Sequence, residues 1–169
     1  MTGRVILHPS SFILLAAALL LAGCGFQLRG TATLPFNTLY VQAPPLSPFA
    51  LQLKRAVQAG SSTKVIERAD QAEAILQILT EVPEKEILSL GGGGRVREFQ
   101  LRYRVQFRLT DAQNREHIPA TEIILKRDYS FNDEQVLSKE SEEALLYRDM
   151  RTDAVYQLVR RLQTAKPQS

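Results

Sequence analysis

Phe99-Gln100-Leu101-Arg102-Tyr103-Arg104-Val105-Gln106-Phe107-Arg108-Leu109 decides the reading of this chain, because every odd position is apolar and every even one is Gln or Arg. Successive side chains of a strand point to opposite faces, so the stretch predicts a β-strand with one buried face and one wet, basic face. Phe99, Leu101, Tyr103, Val105, Phe107 and Leu109 need a cover. Two candidate helices elsewhere in the chain can supply it. Arg102, Arg104 and Arg108 fall on the other face, with neighbouring positions spaced about 7 Å apart. That face is either a solvated sheet surface or a surface that meets an anionic or polar partner.

Outward from this strand, the N-terminus has to be set aside first. Arg4 is followed by the apolar run Phe12 to Leu21, which is of signal-peptide length. It falls short of the roughly 20 apolar residues a membrane-spanning helix needs. The run ends in Leu21-Ala22-Gly23-Cys24, small residues before a cysteine. This looks like the lipobox of bacterial lipoproteins, with residues 1–23 removed and Cys24 acylated as the mature N-terminus. Cys24 is the only cysteine, so a lipidated chain has no thiol left for a disulfide and depends on its hydrophobic core. Of the 169 residues, 146 remain from Cys24 onward, enough for one domain. Only Arg4 of the 21 basic residues leaves with the leader, so 20 face 18 acidic ones, for a net charge of +2. That balance does not suggest a nucleic-acid binder, and any electrostatic function has to come from clustering. Gly25 follows the cysteine. In Gram-negative lipoproteins Asp at that position typically retains the protein at the inner membrane, so the resemblance implies the outer membrane, facing the periplasm.

Taken in order, Leu39-Tyr40-Val41 reads as a short strand stopped by Pro44-Pro45. Ser47-Pro48 opens a helix, Ser as cap and Pro at the first position. Phe49, Leu53, Ala56 and Val57 give that helix one apolar stripe, and Gly60 ends it. Lys64-Val65-Ile66 is a second short strand. Ala74 to Leu90 is extended, with Leu76, Ile78, Thr80 and Val82 expected on one face and Pro83 marking an edge or a bulge. Gly91 to Gly94 form a hairpin tip carrying Arg95 and Arg97, since no helix and no Lys-Ser/Thr follows to complete a phosphate loop. After a polar turn over residues 111–117, Thr121, Ile123, Leu125, Tyr129 and Phe131 alternate as another strand. Arg127 falls in their apolar register, so it either lies beyond the core or has a partner. A long helix begins near Ser138, with Leu146, Met150, Val155, Leu158, Val159 and Leu162 on its apolar side. The pattern is an α+β two-layer sandwich, a mostly antiparallel sheet with two helices packed on one face. A single domain over 24–164 and a frayed tail over 165–169 are expected.

Catalytic chemistry has little to stand on. The mature chain holds one histidine, His117, in an expected turn with no nucleophile marked nearby. No His/Cys/Asp/Glu set has metal-ligand spacing. The acid pairs Glu142-Glu143 and Glu84-Glu86 sit among polar neighbours that suggest a solvated face, with paired carboxylates of glycosidase type as the other reading. The residues read as a binding protein that needs no metal or cofactor, not an enzyme.

Four stretches carry a family resemblance. Leu21-Ala22-Gly23-Cys24-Gly25-Phe26-Gln27-Leu28-Arg29-Gly30 resembles the N-terminal signature of the LPS-assembly lipoprotein family LptE, also called RlpB. Residues 137–143 (Leu-Ser-Lys-Glu-Ser-Glu-Glu), and 148–154 with 157–162, resemble its C-terminal half. The resemblance implies an outer-membrane lipoprotein that plugs the LptD β-barrel, helps it fold, and binds lipopolysaccharide on its way to the cell surface. It implies a lipid anchor at Cys24 and LPS contacts at Lys139 and, near the hairpin tip, at Arg95 or Arg97. The basic strand face adds Arg102 and Arg104, since lipopolysaccharide carries phosphates that suit clustered cations. A barrel scaffold without direct lipid binding, and a periplasmic hydrolase on this fold, are the alternatives.

Replacing Cys24 by Ala is expected to block acylation and to leave the precursor uncleaved by lipoprotein signal peptidase. Metabolic labelling with a fatty-acid analogue checks this; equal label in wild type and variant would end the lipobox reading.

Overall fold

The computed structural model describes residues 33–132 and 136–165, so the leader, Cys24 and residues 166–169 lie outside the described residues. In chain order the elements are β1 (Thr38–Gln42), α1 (Pro48–Gly60), β2 (Lys64–Ile66), a 3-10 turn (Ala69–Gln71), β3 (Ala74–Leu90), a tip turn (Gly92–Gly94), β4 (Val96–Thr110), β5 (Glu116–Ser130) and α2 (Val136–Gln163). The strands form one sheet in the order β2-β1-β3-β4-β5. The expected α+β sandwich is present, with β3, β4 and β5 antiparallel. β1 adds a parallel pairing to each of β2 and β3. Parallel neighbours need a crossover, and α1 supplies it between β1 and β2.

The quoted stretch lies in β4, the fourth strand of the sheet. Leu101, Tyr103, Val105, Phe107 and Leu109 are all buried, and the even positions between them are not. Phe49, Leu53 and Val57 of α1 and Met150, Ala154, Val155, Leu158 and Leu162 of α2 join the same core. Helix α1 starts as its residues dictate: the Ser47 hydroxyl accepts the Ala50 N–H at 3.0 Å and Pro48 takes the first helical position. Helix α2 begins at Val136, two residues before the sequence suggested. Ala165, expected to open the frayed tail, is buried against the core. The Gln52 side chain donates to the Thr152 hydroxyl at 2.9 Å and ties the two helices together.

The main departure lies in β3. Its pairing with β4 slips between Ile78 and Thr80, so Leu79 is an extra residue in the strand. A one-residue slip moves all later side chains to the other face. Thr80 and Val82 therefore do not continue the face of Leu76 and Ile78. Glu81, Pro83 and Lys85 turn toward the helices instead, Pro83 opposite Tyr103 and Lys85 opposite Leu101. β1 covers β3 only as far as Gln77, so Pro83 sits where β3 has become an edge strand and no ladder donor is lost on that side. Arg127 keeps the helix-facing register of β5 because it has a partner, Asp153 of α2, at 2.8 Å.

Phe107→Ala is expected to destabilise the domain by about 3–5 kcal/mol, because a fully buried ring leaves a cavity, while Gln106→Ala costs about 1 kcal/mol or less. Denaturant midpoints of both variants check the face assignment, and equal losses would overturn it.

Candidate functional site at the hairpin end

The hairpin tip is built by backbone geometry. The Gly91 N–H donates to the Arg95 carbonyl at 2.7 Å, and Gly93 and Gly94 take φ of +80° and +76°, values that favour glycine. Arg95 and Arg97 are exposed there, and among the described residues neither has a carboxylate partner. The Arg97 carbonyl accepts the Phe131 N–H at 2.7 Å, which fixes the end of β5 beside the start of β4. Lys139, in the first turn of α2, reaches the same end: its ammonium lies 2.7 Å from Glu142 and 3.5 Å from the Ser130 hydroxyl. Its side chain is only 14 % exposed. The structure thus brings Arg95, Arg97 and Lys139 to one end of the sheet, with Ile87, Leu90, Val136 and Leu137 exposed around it.

Arg102 and Arg104 belong elsewhere. They lie on the outer face of the sheet, and cross-strand carboxylates neutralise them. Arg102 pairs with Glu86 at 3.0 Å and Glu84 at 3.4 Å, and Arg104 with Glu84 at 2.6 Å and Glu122 at 3.6 Å. Arg108 donates to Gln77. The basic row read from β4 alone becomes a charge-balanced ladder once its neighbours are in register. Glu84 is not the solvated acid its sequence neighbours suggested.

Sequence reasoning missed the group behind the cationic end. The bulge turns Lys85 inward, where its ammonium sits 4.2 Å from the centre of the Phe99 ring and 2.6 Å from Glu143 of α2. Phe99 stacks on Tyr129 and meets Phe131 edge-on, at centroid distances of 5.8 and 5.2 Å. The Tyr129 hydroxyl donates to the same Glu143 oxygen at 2.7 Å, and Tyr147 donates to the Glu84 carbonyl of β3 at 2.7 Å. Burial pushes the Lys85 ammonium toward neutrality, but Glu143 and Tyr129 outweigh it and raise its pKa. Burial, reinforced by Glu143, raises that of Tyr129. Farther down, Glu81 accepts the Tyr103 hydroxyl at 2.6 Å and also the Ser47 hydroxyl, with Arg151 Nε 3.9 Å away. Burial first, then the Glu81 charge, raises the Tyr103 pKa. The signal for both groups was the off-pattern polarity after Ile78, together with Pro83.

The opposite end holds an open pocket of about 390 Å³ lined in part by Glu73, Asp111, Arg115 and His117. Burial would raise the Asp111 pKa, yet the backbone and side chain of Arg115, with the Gln113 N–H, hold it below the usual carboxylate range. His117 Nε2 lies 3.7 Å from Asp111. Among the described residues the pocket lining contains no Ser, Thr or Cys to act as nucleophile. Among the described residues no group of three or more His, Cys, Asp or Glu is placed to hold a metal, and no helix is long and apolar enough to cross a membrane.

Against known proteins, the family described as "LptE: Lipopolysaccharide-assembly" matches residues 36–162. The LPS-assembly lipoprotein LptE of Yersinia pestis is 30 % identical over 151 residues, 88 % of this chain and 72 % of that protein. The corresponding protein of Pectobacterium atrosepticum is 27 % identical over 158 residues, 91 % of this chain and 84 % of the relative. Among solved structures, the solution structure of lipoprotein B from Nitrosomonas europaea is 44 % identical with a TM-score of 0.73, covering 82 % of this chain and 90 % of that one. Rare lipoprotein B from Shewanella oneidensis shares the fold at 22 % identity and a TM-score of 0.66, covering 76 % of this chain and 95 % of that one.

Glu143→Gln is expected to cost about 1–3 kcal/mol, since it strips Lys85 and Tyr129 of a charged acceptor. Glu140→Gln on the exposed side of the same helix should stay within about 0.5 kcal/mol. Denaturant midpoints of the two variants decide it; indistinguishable losses would show that the Lys85 group does not hold the hairpin to α2.

Proposed function

Because the chain belongs to the lipopolysaccharide-assembly family LptE, matched over residues 36–162, we propose that it is an outer-membrane lipoprotein anchored through Cys24 that seats in the LptD β-barrel and binds lipopolysaccharide at its hairpin end. Its relatives are named LPS-assembly lipoproteins. The observation that carries the lipid-binding part is the meeting of Arg95, Arg97 and Lys139 at one end, ringed by exposed Ile87, Leu90 and Leu137. Lipopolysaccharide combines phosphates with acyl chains, so cations set among apolar side chains match both halves of it. Each charge-assisted hydrogen bond to a phosphate contributes about 1.5–3 kcal/mol before screening. The activity is binding and assembly, not turnover.

The outer sheet face supports the barrel contact. Its Arg and Glu side chains are mutually paired, which makes a polar but nearly neutral wall, and the interior of a large outer-membrane barrel is polar. A scaffold role without lipid binding stays the second reading, favoured by the neutralisation of Arg102 and Arg104. The sites named for lipopolysaccharide are therefore Arg95, Arg97 and Lys139, with Arg102 and Arg104 assigned to the barrel-facing surface.

Reversing Arg95 and Lys139 together to Asp is expected to weaken lipopolysaccharide binding at physiological salt by tenfold or more, with the melting curve and copurification with the barrel unchanged. Native affinity in the double variant would remove this site. Loss of the barrel complex instead would assign the residues to the protein–protein interface.

A further inference from the structure

The three cations of the hairpin end are not equivalent. Arg95 and Arg97 face solvent, whereas Lys139 has a carboxylate already in place: Glu142, one turn along the same helix, at 2.7 Å. A lysine ammonium has three donors, and here one points to Glu142 and another toward Ser130 at 3.5 Å. The third donor remains for an incoming anion, but that anion meets the Glu142 carboxylate at the same ammonium and competes with it for the lysine charge. Glu142 is 44 % exposed, so its side chain can swing into water at little cost. The next residue cannot substitute for it, since Glu143 is held by Lys85 and Tyr129. Lys139 also lies in the first turn of α2, where a cation opposes the helix dipole, and no acidic residue occupies that turn. The Glu142 carboxylate at 2.7 Å offsets that unfavourable placement when no ligand is present.

We infer that Glu142 is a built-in competitor for anionic ligands of Lys139, lowering affinity at the cationic end so that a bound phosphate group can be released again. The inference rests on the lipopolysaccharide reading of that end. A carrier passing its cargo onward needs binding strong enough to capture and weak enough to let go, and an internal carboxylate that returns to its lysine as the phosphate leaves provides this. No covalent step is involved; one ion pair is exchanged for another.

The test uses the full-length protein in detergent, with purified lipopolysaccharide as the probe and the same lipid stripped of its phosphates as the comparison. Glu142→Gln should tighten binding of the phosphorylated lipid by about two- to fivefold at low salt, the range set by one exposed ion pair, mainly through a slower off-rate. The gain should shrink at high salt and be absent for the dephosphorylated lipid. Lys139→Ala should weaken binding, and adding Glu142→Gln to it should restore nothing. Glu140→Gln removes the same charge from an exposed position on the same helix and should leave affinity unchanged. If Lys139→Ala weakens binding but Glu142→Gln does not tighten it, or if Glu140→Gln tightens it equally, the competitor role is overturned and the lipid site stands. If Lys139→Ala leaves binding intact, Lys139 is not at the site, and the competitor role falls with it.

Discussion

One extra residue, Leu79, determines which side chains of the outer hairpin meet the helices. Before it, Leu76 and Ile78 point into the core; after it, the inward positions are Glu81, Pro83 and Lys85. The bulge therefore exchanges an apolar strand face for a polar one at the point where β1 ends and the sheet narrows. Two charged groups follow from it. Glu81 joins the cap of α1, the β4 ring Tyr103 and Arg151 of α2 at a single carboxylate. Lys85 joins the β4 and β5 rings to Glu143. Burying charge is costly unless every partner is present. These groups therefore specify a unique seating of the helices on the hairpin more than they add to its stability.

The fold was legible wherever a local rule and the tertiary demand agreed. The alternation from Phe99 to Leu109, the Ser47-Pro48 start and the glycine tip each state one requirement, and the structure meets it. β3 was harder because a bulge leaves no composition of its own. Leu79 looks like any apolar strand residue, and the parity change shows only when β4 is laid beside it. The paired acids were misjudged for a related reason. Glu84 and Glu143 have polar neighbours in sequence, but their partners lie on other elements, and register alone brings them together.

The same logic separates the arginines. Along β4, Arg102 and Arg104 read as bare positive charge. Across the sheet, Glu84, Glu86 and Glu122 answer them, because opposite charges on facing strands stabilise each other. At the tip the strands turn, and among the described residues no carboxylate pairs with Arg95 or Arg97. Topology thus makes the chain locally cationic: among the described residues, positive charge in the hairpin is left without a carboxylate where the strands turn.

The length of that hairpin has a separate consequence. Seventeen residues of β3 at about 3.3 Å each span roughly 55 Å, from the pocket beside Pro35 and Phe36 to the glycine turn. The hydrocarbon of a bilayer is only about 30 Å thick. The hairpin is therefore long enough for its two ends to lie in different chemical layers at the same time, being longer than that hydrocarbon thickness. A shift of a single strand register, about 3.3 Å, would also turn the later side chains of β3 to the other face, so the pairing of β3 with β4 fixes the reach of the hairpin and the facing of Lys85 together.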